Sequence, residues 1–172
     1  IDKFLGKPSA KKKVKAVVIG GGLIGVSVTE ALVKRKVEVI VVEMRERILN
    51  VILDETASAL GAEAVKKAGV KIVTGHTVTK INGDSAGNVA GATLDDGKEL
   101  PCEMVIVAIG VQPRAELVRD TGIKVNRGII VDRHMATSNP DVYACGDVAE
   151  AYDFVLGLNR LTPVWPNAYM GG

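Results

Sequence analysis

The amino-acid sequence predicts an α/β fold in which a parallel sheet is built from βαβ units and an antiparallel β-meander forms one crossover. Three observations predict it. Two β-branched runs, VKAVVI at 14–19 and VEVIVVE at 37–43, flank a segment of helical period, and so short a crossover admits only a parallel, right-handed arrangement. A second helical segment followed by a strand occupies 54–74. The helical period then stops between His76 and Cys102, where short strands alternate with turn sequences.

The elements follow in order. Val14 to Ile19, preceded by charge and followed by glycines, reads as a strand buried on both faces. Leu23 to Arg35 repeats apolar residues at helical spacing and ends on cations, which suit a helix C-terminus. Val37 to Glu43 is the second buried strand. Asp54 to Lys67 is a helix with Asp54 as N-cap and Gly69 as stop, and Val70 to Thr74 a third strand. VTKI, NVAGATL and KEL, separated by GDSAGN and DDG, form the meander. Met104 to Ile109 is again a wholly apolar strand, and Arg114 to Asp120 a short helix. Beyond it the sequence GIIVD and a segment rich in Gly, Pro and Asn give no regular period, and Pro163, Pro166 and the terminal glycines make the last stretch a poor element by itself.

Composition narrows the function. Of 172 residues, 47% are hydrophobic and 24% charged, a globular balance, and only 3% are aromatic, so Val, Ile, Leu and Ala must build the core. The longest uncharged stretch, Ala16 to Thr29, holds four glycines and falls short of the roughly 20 apolar residues that span a bilayer, so no membrane association is expected. No secretory signal is read at the N-terminus, and a cytoplasmic location is expected. The net charge of +2 conceals an uneven split: residues 1–15 hold six Lys and one Asp, and the remainder carries 16 basic against 19 acidic residues. With no aromatics interleaved among Lys11, Lys12 and Lys13, nucleic acid is not an expected partner. Cys102 and Cys145 lie far apart, without CxxC or metal spacing, so no metal site is expected and a reducing compartment fits.

Gly20-Gly21-Gly22-Leu23-Ile24-Gly25 satisfies GxGxxG directly between a strand and a helix. Gly20 permits the tight turn, Gly22 admits a pyrophosphate to the backbone, and Gly25 lets helix and strand pack closely. Leu23 and Ile24 open the helix, whose free N–H groups and dipole favour phosphate. Glu43 ends the second strand 18 residues after Gly25, placed to accept hydrogen bonds from adenosine ribose hydroxyls and to repel a 2′-phosphate. The arrangement is Rossmann-like, and NAD is expected over NADP. No Tyr is followed four residues on by Lys, His76 and His134 are the only histidines and read as surface or turn residues, and no hydrolase elbow is present. The chain shows no catalytic acid, base or redox pair of its own.

Three segments resemble the FAD-dependent pyridine nucleotide-disulfide oxidoreductases, in particular the NADH oxidase and coenzyme A disulfide reductase branch. They are VVIGGGLIGVSVTEAL with Glu43, ELPCEMVIVAIGVQPR, and GIIVDRHMATSNPDVYACGDVAEAYDF. The resemblance implies an FAD/NAD(P)-binding fold, with a basic tail over 1–13, an NAD-binding domain over 14–113 and part of an FAD-binding domain over 114–172. It implies that Asp147, after Gly146, binds the ribityl or pyrophosphate part of FAD, and that Gly110 approaches the nicotinamide. Pro166, Asn167 and Ala168 fall where the family's chain passes the flavin ring and turns into a helix. The chain departs from the family at Leu23 and Ser27, where a Tyr gating the nicotinamide pocket and a Glu beside the flavin are usual.

The resemblance further implies a parent enzyme, expected to be a homo-oligomer, that passes hydride from NADH to FAD and on to oxygen or a disulfide. The FAD-gripping GxGxxG and the redox cysteine of the family lie upstream of this segment, so this chain is expected to bind NADH weakly and to retain no FAD. The rival readings are a piece of a ferredoxin- or rubredoxin-type reductase or of a dihydrolipoamide dehydrogenase, and, from another class, a stand-alone NAD-sensing module.

Overall fold

A computed structural model describes residues 13–172, which form two compact units dividing between Gly110 and Val111. The basic tail expected over 1–13 lies, apart from Lys13, outside the described residues.

The first unit is built on a four-stranded parallel sheet. Its strands are β1 (Lys15–Ile19), β2 (Glu38–Glu43), β3 (Lys71–Thr74) and β7 (Met104–Val107), in the order β3-β2-β1-β7. Ile19 pairs with Val42 on one side and with Val107 on the other. The apolar run of β1 serves both faces. Ala16 and Val18 join Leu32, Val39, Val41 and Ile48 in one core, while Val17 and Ile19 join Val42, Leu94, Leu100 and Cys102 in a second. A strand sandwiched in this way cannot alternate with polar residues, which is why its sequence reads as continuous.

Helix α1 (Leu23–Lys34) contributes Leu32 to the first core, and α2 (Glu55–Lys67) packs its partly buried Ala62 and Val65 against it. Asp54 caps α2 by accepting from Ala57 N at 2.8 Å, with Glu55 in the first turn and Lys66 and Lys67 in the last. The other face is covered by the meander β4 (Val78–Gly83), β5 (Val89–Leu94) and β6 (Glu99–Pro101), an antiparallel sheet whose residues Ala92, Leu94 and Leu100 are buried. Asp84 closes the β4–β5 turn: it accepts from the N–H groups of Asn88 and Ala86, and these bonds, those of Asn88 foremost, hold its carboxyl below the usual carboxylate range.

The second unit has its own small core of Val118, Ile123, Ile129, Val131 and Ala149. Its sheet orders β10 (Leu158–Leu161), β9 (Ala149–Asp153) and β8 (Ile129–Ile130), with β8 and β9 parallel and β9 and β10 antiparallel. Three differences from the sequence reading fall here. The helix expected over 114–120 is a 3₁₀ turn at Ala115–Val118. A hairpin, β9–β10, occupies a segment that gave no period, because its strands mix apolar and polar residues while its exposed tip is the apolar Phe154-Val155-Leu156, the reverse of the usual pattern. The last stretch, a poor element on its local pattern, is helical, α3 (Trp165–Gly171), where the resemblance implied a helix; Pro166 falls in the first turn, where a missing N–H removes no helical bond. Among the described residues, no helix is long and apolar enough to cross a membrane.

Candidate functional site

In the strand order β3-β2-β1-β7 the chain runs outward from β1 to β2 and β3 on one side and returns to β7 on the other, so the topological switch lies between β1 and β7. Open α/β sheets take ligands outside the carboxyl ends of their strands at such a point. Gly20 follows β1 there, Glu43 closes β2, and Gly110 stands three residues past the end of β7. The structure therefore brings Gly20, Gly22, Leu23, Ile24, Gly25, Glu43 and Gly110 to the same edge of one sheet. Gly146 and Asp147 belong to the second unit.

The glycines of the turn do different work. Gly20 has φ +105°, and a Cβ on it would stand 2.3 Å from the Ala108 carbonyl oxygen, so both conformation and contact demand glycine. Gly25 is demanded by packing: its Cβ would overlap the Gly20 carbonyl oxygen as α1 crosses the turn. Gly22 is different. It is extended, with φ −77° and ψ −171°, and beyond the adjoining backbone no atom of the described residues lies within 4 Å of where its Cβ would be. Among the glycines of the described residues that lack a left-handed φ, it is the one whose Cβ position meets no neighbour at all. Gly22 is the N-cap of α1 and supplies no capping side chain, and Leu23 and Ile24 in the first turn are exposed. The helix start thus presents unpaired N–H groups over an open cradle, a geometry suited to phosphate oxygens.

Glu43 is half-buried and already engaged. Its Oε2 accepts from Gly21 N at 2.6 Å and its Oε1 from Arg45 N at 2.9 Å. Each oxygen retains acceptor capacity for a hydroxyl donor. Gly21 occupies an unspecified position of GxGxxG, yet its Cβ would stand 2.7 Å from Ile48 Cγ2 and 3.1 Å from Glu43 Cβ. Its carbonyl accepts from Leu49 N at 2.8 Å. Ile48, 1% exposed, is held in turn by the Ser58 hydroxyl, which donates to the Ile48 carbonyl from α2. Sequence reasoning missed Gly21, Ile48, Leu49 and Ser58. The run of three glycines was the available signal, since a GxGxxG needs only two of them there.

In the second unit, Asp147 opens the exposed turn after Cys145 and Gly146, and neither carboxylate oxygen has a protein donor among the described residues. Gly146 has φ +76°, and its Cβ position lies 3.6 Å from Ala168 Cβ. Glu150 follows three residues later and is 5% exposed. It accepts from Asn126 Nδ2 at 3.0 Å, Gly128 N at 3.1 Å and Arg127 N at 3.2 Å, so this buried carboxylate fastens the 126–128 turn to β9. His76 Nδ1 lies 2.9 Å from Asp95 and its Nε2 3.9 Å from Asp96, so both ring nitrogens face carboxylates at the surface. Cys102 is buried, and burial pushes its thiol up from the ordinary value, away from reactivity, while Cys145 is exposed.

Sheet order, glycine turn and acidic strand end together define a Rossmann-type α/β domain. Residues 5–172 match the sequence profile of the pyridine nucleotide-disulphide oxidoreductases, and the chain belongs to that family. It is 34% identical over 158 residues to the NADH-dependent phenylglyoxylate dehydrogenase subunit epsilon of Aromatoleum evansii, covering 92% of this chain and 37% of that protein. It is 35% identical over 150 residues to an NADH oxidase of Methanocaldococcus jannaschii, covering 87% and 33%. The chain thus spans about a third of the length of these curated relatives. Among solved structures, the NAD-dependent persulfide reductase from A. fulgidus superposes with a TM-score of 0.86 at 35% identity, over 94% of this chain and 30% of that one. Putidaredoxin reductase, in its covalent complex with putidaredoxin, gives 0.86 at 32%, over 90% and 37%.

Proposed function

We propose that the chain is the NAD(H)-binding part, with a portion of the FAD-binding part, of an FAD-dependent NADH oxidase or related reductase. The observation that carries this reading is Gly22: a glycine that neither its own backbone nor any neighbour requires, set at an open helix N-terminus at the switch point of the sheet. A ligand backbone that must come closer than a methyl group allows supplies the missing reason. Residues 14–113 are the NAD-binding domain, with the Gly22, Leu23, Ile24 and Gly25 N–H groups turned to the pyrophosphate and Glu43 to the adenosine ribose. Gly110 leaves the backbone open beside the nicotinamide. Residues 114–172 belong to the flavin domain, where the unpartnered carboxylate of Asp147 suits the hydroxyl-rich ribityl chain of FAD. Flavin, when bound, is the hydride acceptor, and these residues position and orient. The parent passes the electrons on to oxygen or a disulfide. A reducing, cytoplasmic setting suits Cys102 and Cys145 as free thiols.

The relatives' own names agree with this reading, since they include an NADH-dependent dehydrogenase subunit and an NADH oxidase. Titrating NADH and NADPH against the purified chain tests it. NADH binds more tightly, because the Glu43 carboxylate repels a 2′-phosphate. A preference for NADPH overturns the role given to Glu43, and binding of neither overturns the reading.

A further inference from the structure

Glu43 reaches the phosphate side of the turn as well as the ribose side. Its Oε2 fixes the Gly21 N–H at 2.6 Å, and the Leu49 N–H fixes the Gly21 carbonyl at 2.8 Å. That carbonyl and the Gly22 N–H belong to one planar trans peptide and point in opposite directions. With the carbonyl turned to Leu49, the Gly22 N–H is aimed the other way. The segment that does the fixing is itself held: Glu43 Oε1 takes Arg45 N at 2.9 Å, Ser58 holds the Ile48 carbonyl, and Ile48 Cγ2 leaves no room for a side chain on Gly21. We propose that Glu43 is a positioning residue for the pyrophosphate contact, acting through Gly21, in addition to accepting from the ribose. The proposal rests on the reading that this turn receives a dinucleotide.

The two roles separate when the ribose hydroxyls are removed. Amide chemical-shift titrations of the full chain with ADP and with 2′,3′-dideoxyadenosine 5′-diphosphate give both affinities, for the wild type and for Glu43→Ala and Glu43→Gln. If Glu43 positions the turn, Glu43→Ala weakens dideoxy-ADP binding by about tenfold, the scale of one hydrogen bond to a charged group. Glu43→Gln, which keeps one oxygen able to accept from Gly21 N, recovers part of the loss. The Gly21 amide proton, no longer bonded to a carboxylate, moves upfield in Glu43→Ala. Equal dideoxy-ADP affinity in the wild type and the variants overturns the proposal and leaves Glu43 a ribose acceptor only. Should Glu43→Ala fail to fold, Glu43→Gln decides alone, by weakened or unchanged dideoxy-ADP binding. If the wild type binds neither nucleotide, the dinucleotide reading itself has failed, and the proposal with it.

Discussion

Replacing Gly22 with alanine separates folding from binding. The native φ of −77° and ψ of −171° are ordinary for alanine, and beyond the adjoining backbone no atom of the described residues lies within 4 Å of the new methyl group. Removing a glycine stabilises by about 0.4–1 kcal/mol through the unfolded chain. Alanine is a poorer N-cap than glycine, which offsets a few tenths to about 1 kcal/mol of that. The net change is within about 0.5 kcal/mol, or about 2 °C in the melting temperature of a domain this size. Gly25→Ala is the contrast. Its methyl overlaps the Gly20 carbonyl oxygen, so α1 must shift from β1, at a cost of about 3 kcal/mol and a fall of about 6–12 °C. In Gly22→Ala the methyl occupies the cradle where the pyrophosphate approaches, and NADH affinity falls at least about tenfold, or roughly 1.4 kcal/mol. Thermal unfolding by circular dichroism and calorimetric titration with NADH measure the two quantities. Wild-type NADH affinity in Gly22→Ala would show that no pyrophosphate enters the cradle, and a melting loss matching that of Gly25→Ala would show that Gly22 is needed for packing.

Three other predictions concern stability. Thr29 is 2% exposed and its hydroxyl has no hydrogen-bond partner among the described residues, so Thr29→Val stabilises the first unit by about 1 kcal/mol, measured by denaturant unfolding. Glu150→Ala strands the donors of the 126–128 turn and destabilises the second unit by about 3 kcal/mol; an unchanged unfolding midpoint there would show that the buried carboxylate is dispensable. The hydrogen bond from His76, and secondarily the Thr77 N–H, holds the Asp95 carboxyl below the usual carboxylate range. A depressed folded value adds stability above the ordinary carboxylate pKa and loses it as pH falls through the folded one. His76→Asn therefore flattens the stability profile below about pH 4, measured by denaturant unfolding across that range.

The first unit was legible because its strands are buried on both faces and its helices carry end signals. Val17 and Val18 face opposite cores, so the run VVI could only be a sandwiched strand, and Asp54 caps α2 where the sequence placed the cap. The second unit hides its order in long-range bonds. Glu150 reads as a surface charge until Asn126, Arg127 and Gly128 close on it across more than twenty residues of sequence. The helix α3 was obscured by Pro166, whose position within the first turn no local pattern reveals. At the glycine turn, spacing identified Gly20, Gly22, Gly25 and Glu43, while the contact between Glu43 and Gly21 depends on the parallel register that brings the end of β2 beside the end of β1.

The proposed function stands on the turn after β1 receiving the pyrophosphate of NADH. Amide resonances recorded during NADH titration of the full chain test it most directly. The largest, saturable shifts are expected at Gly22, Leu23, Ile24 and Gly25, with smaller ones at Glu43 and Arg45. Saturable binding that leaves those amides unmoved would contradict it.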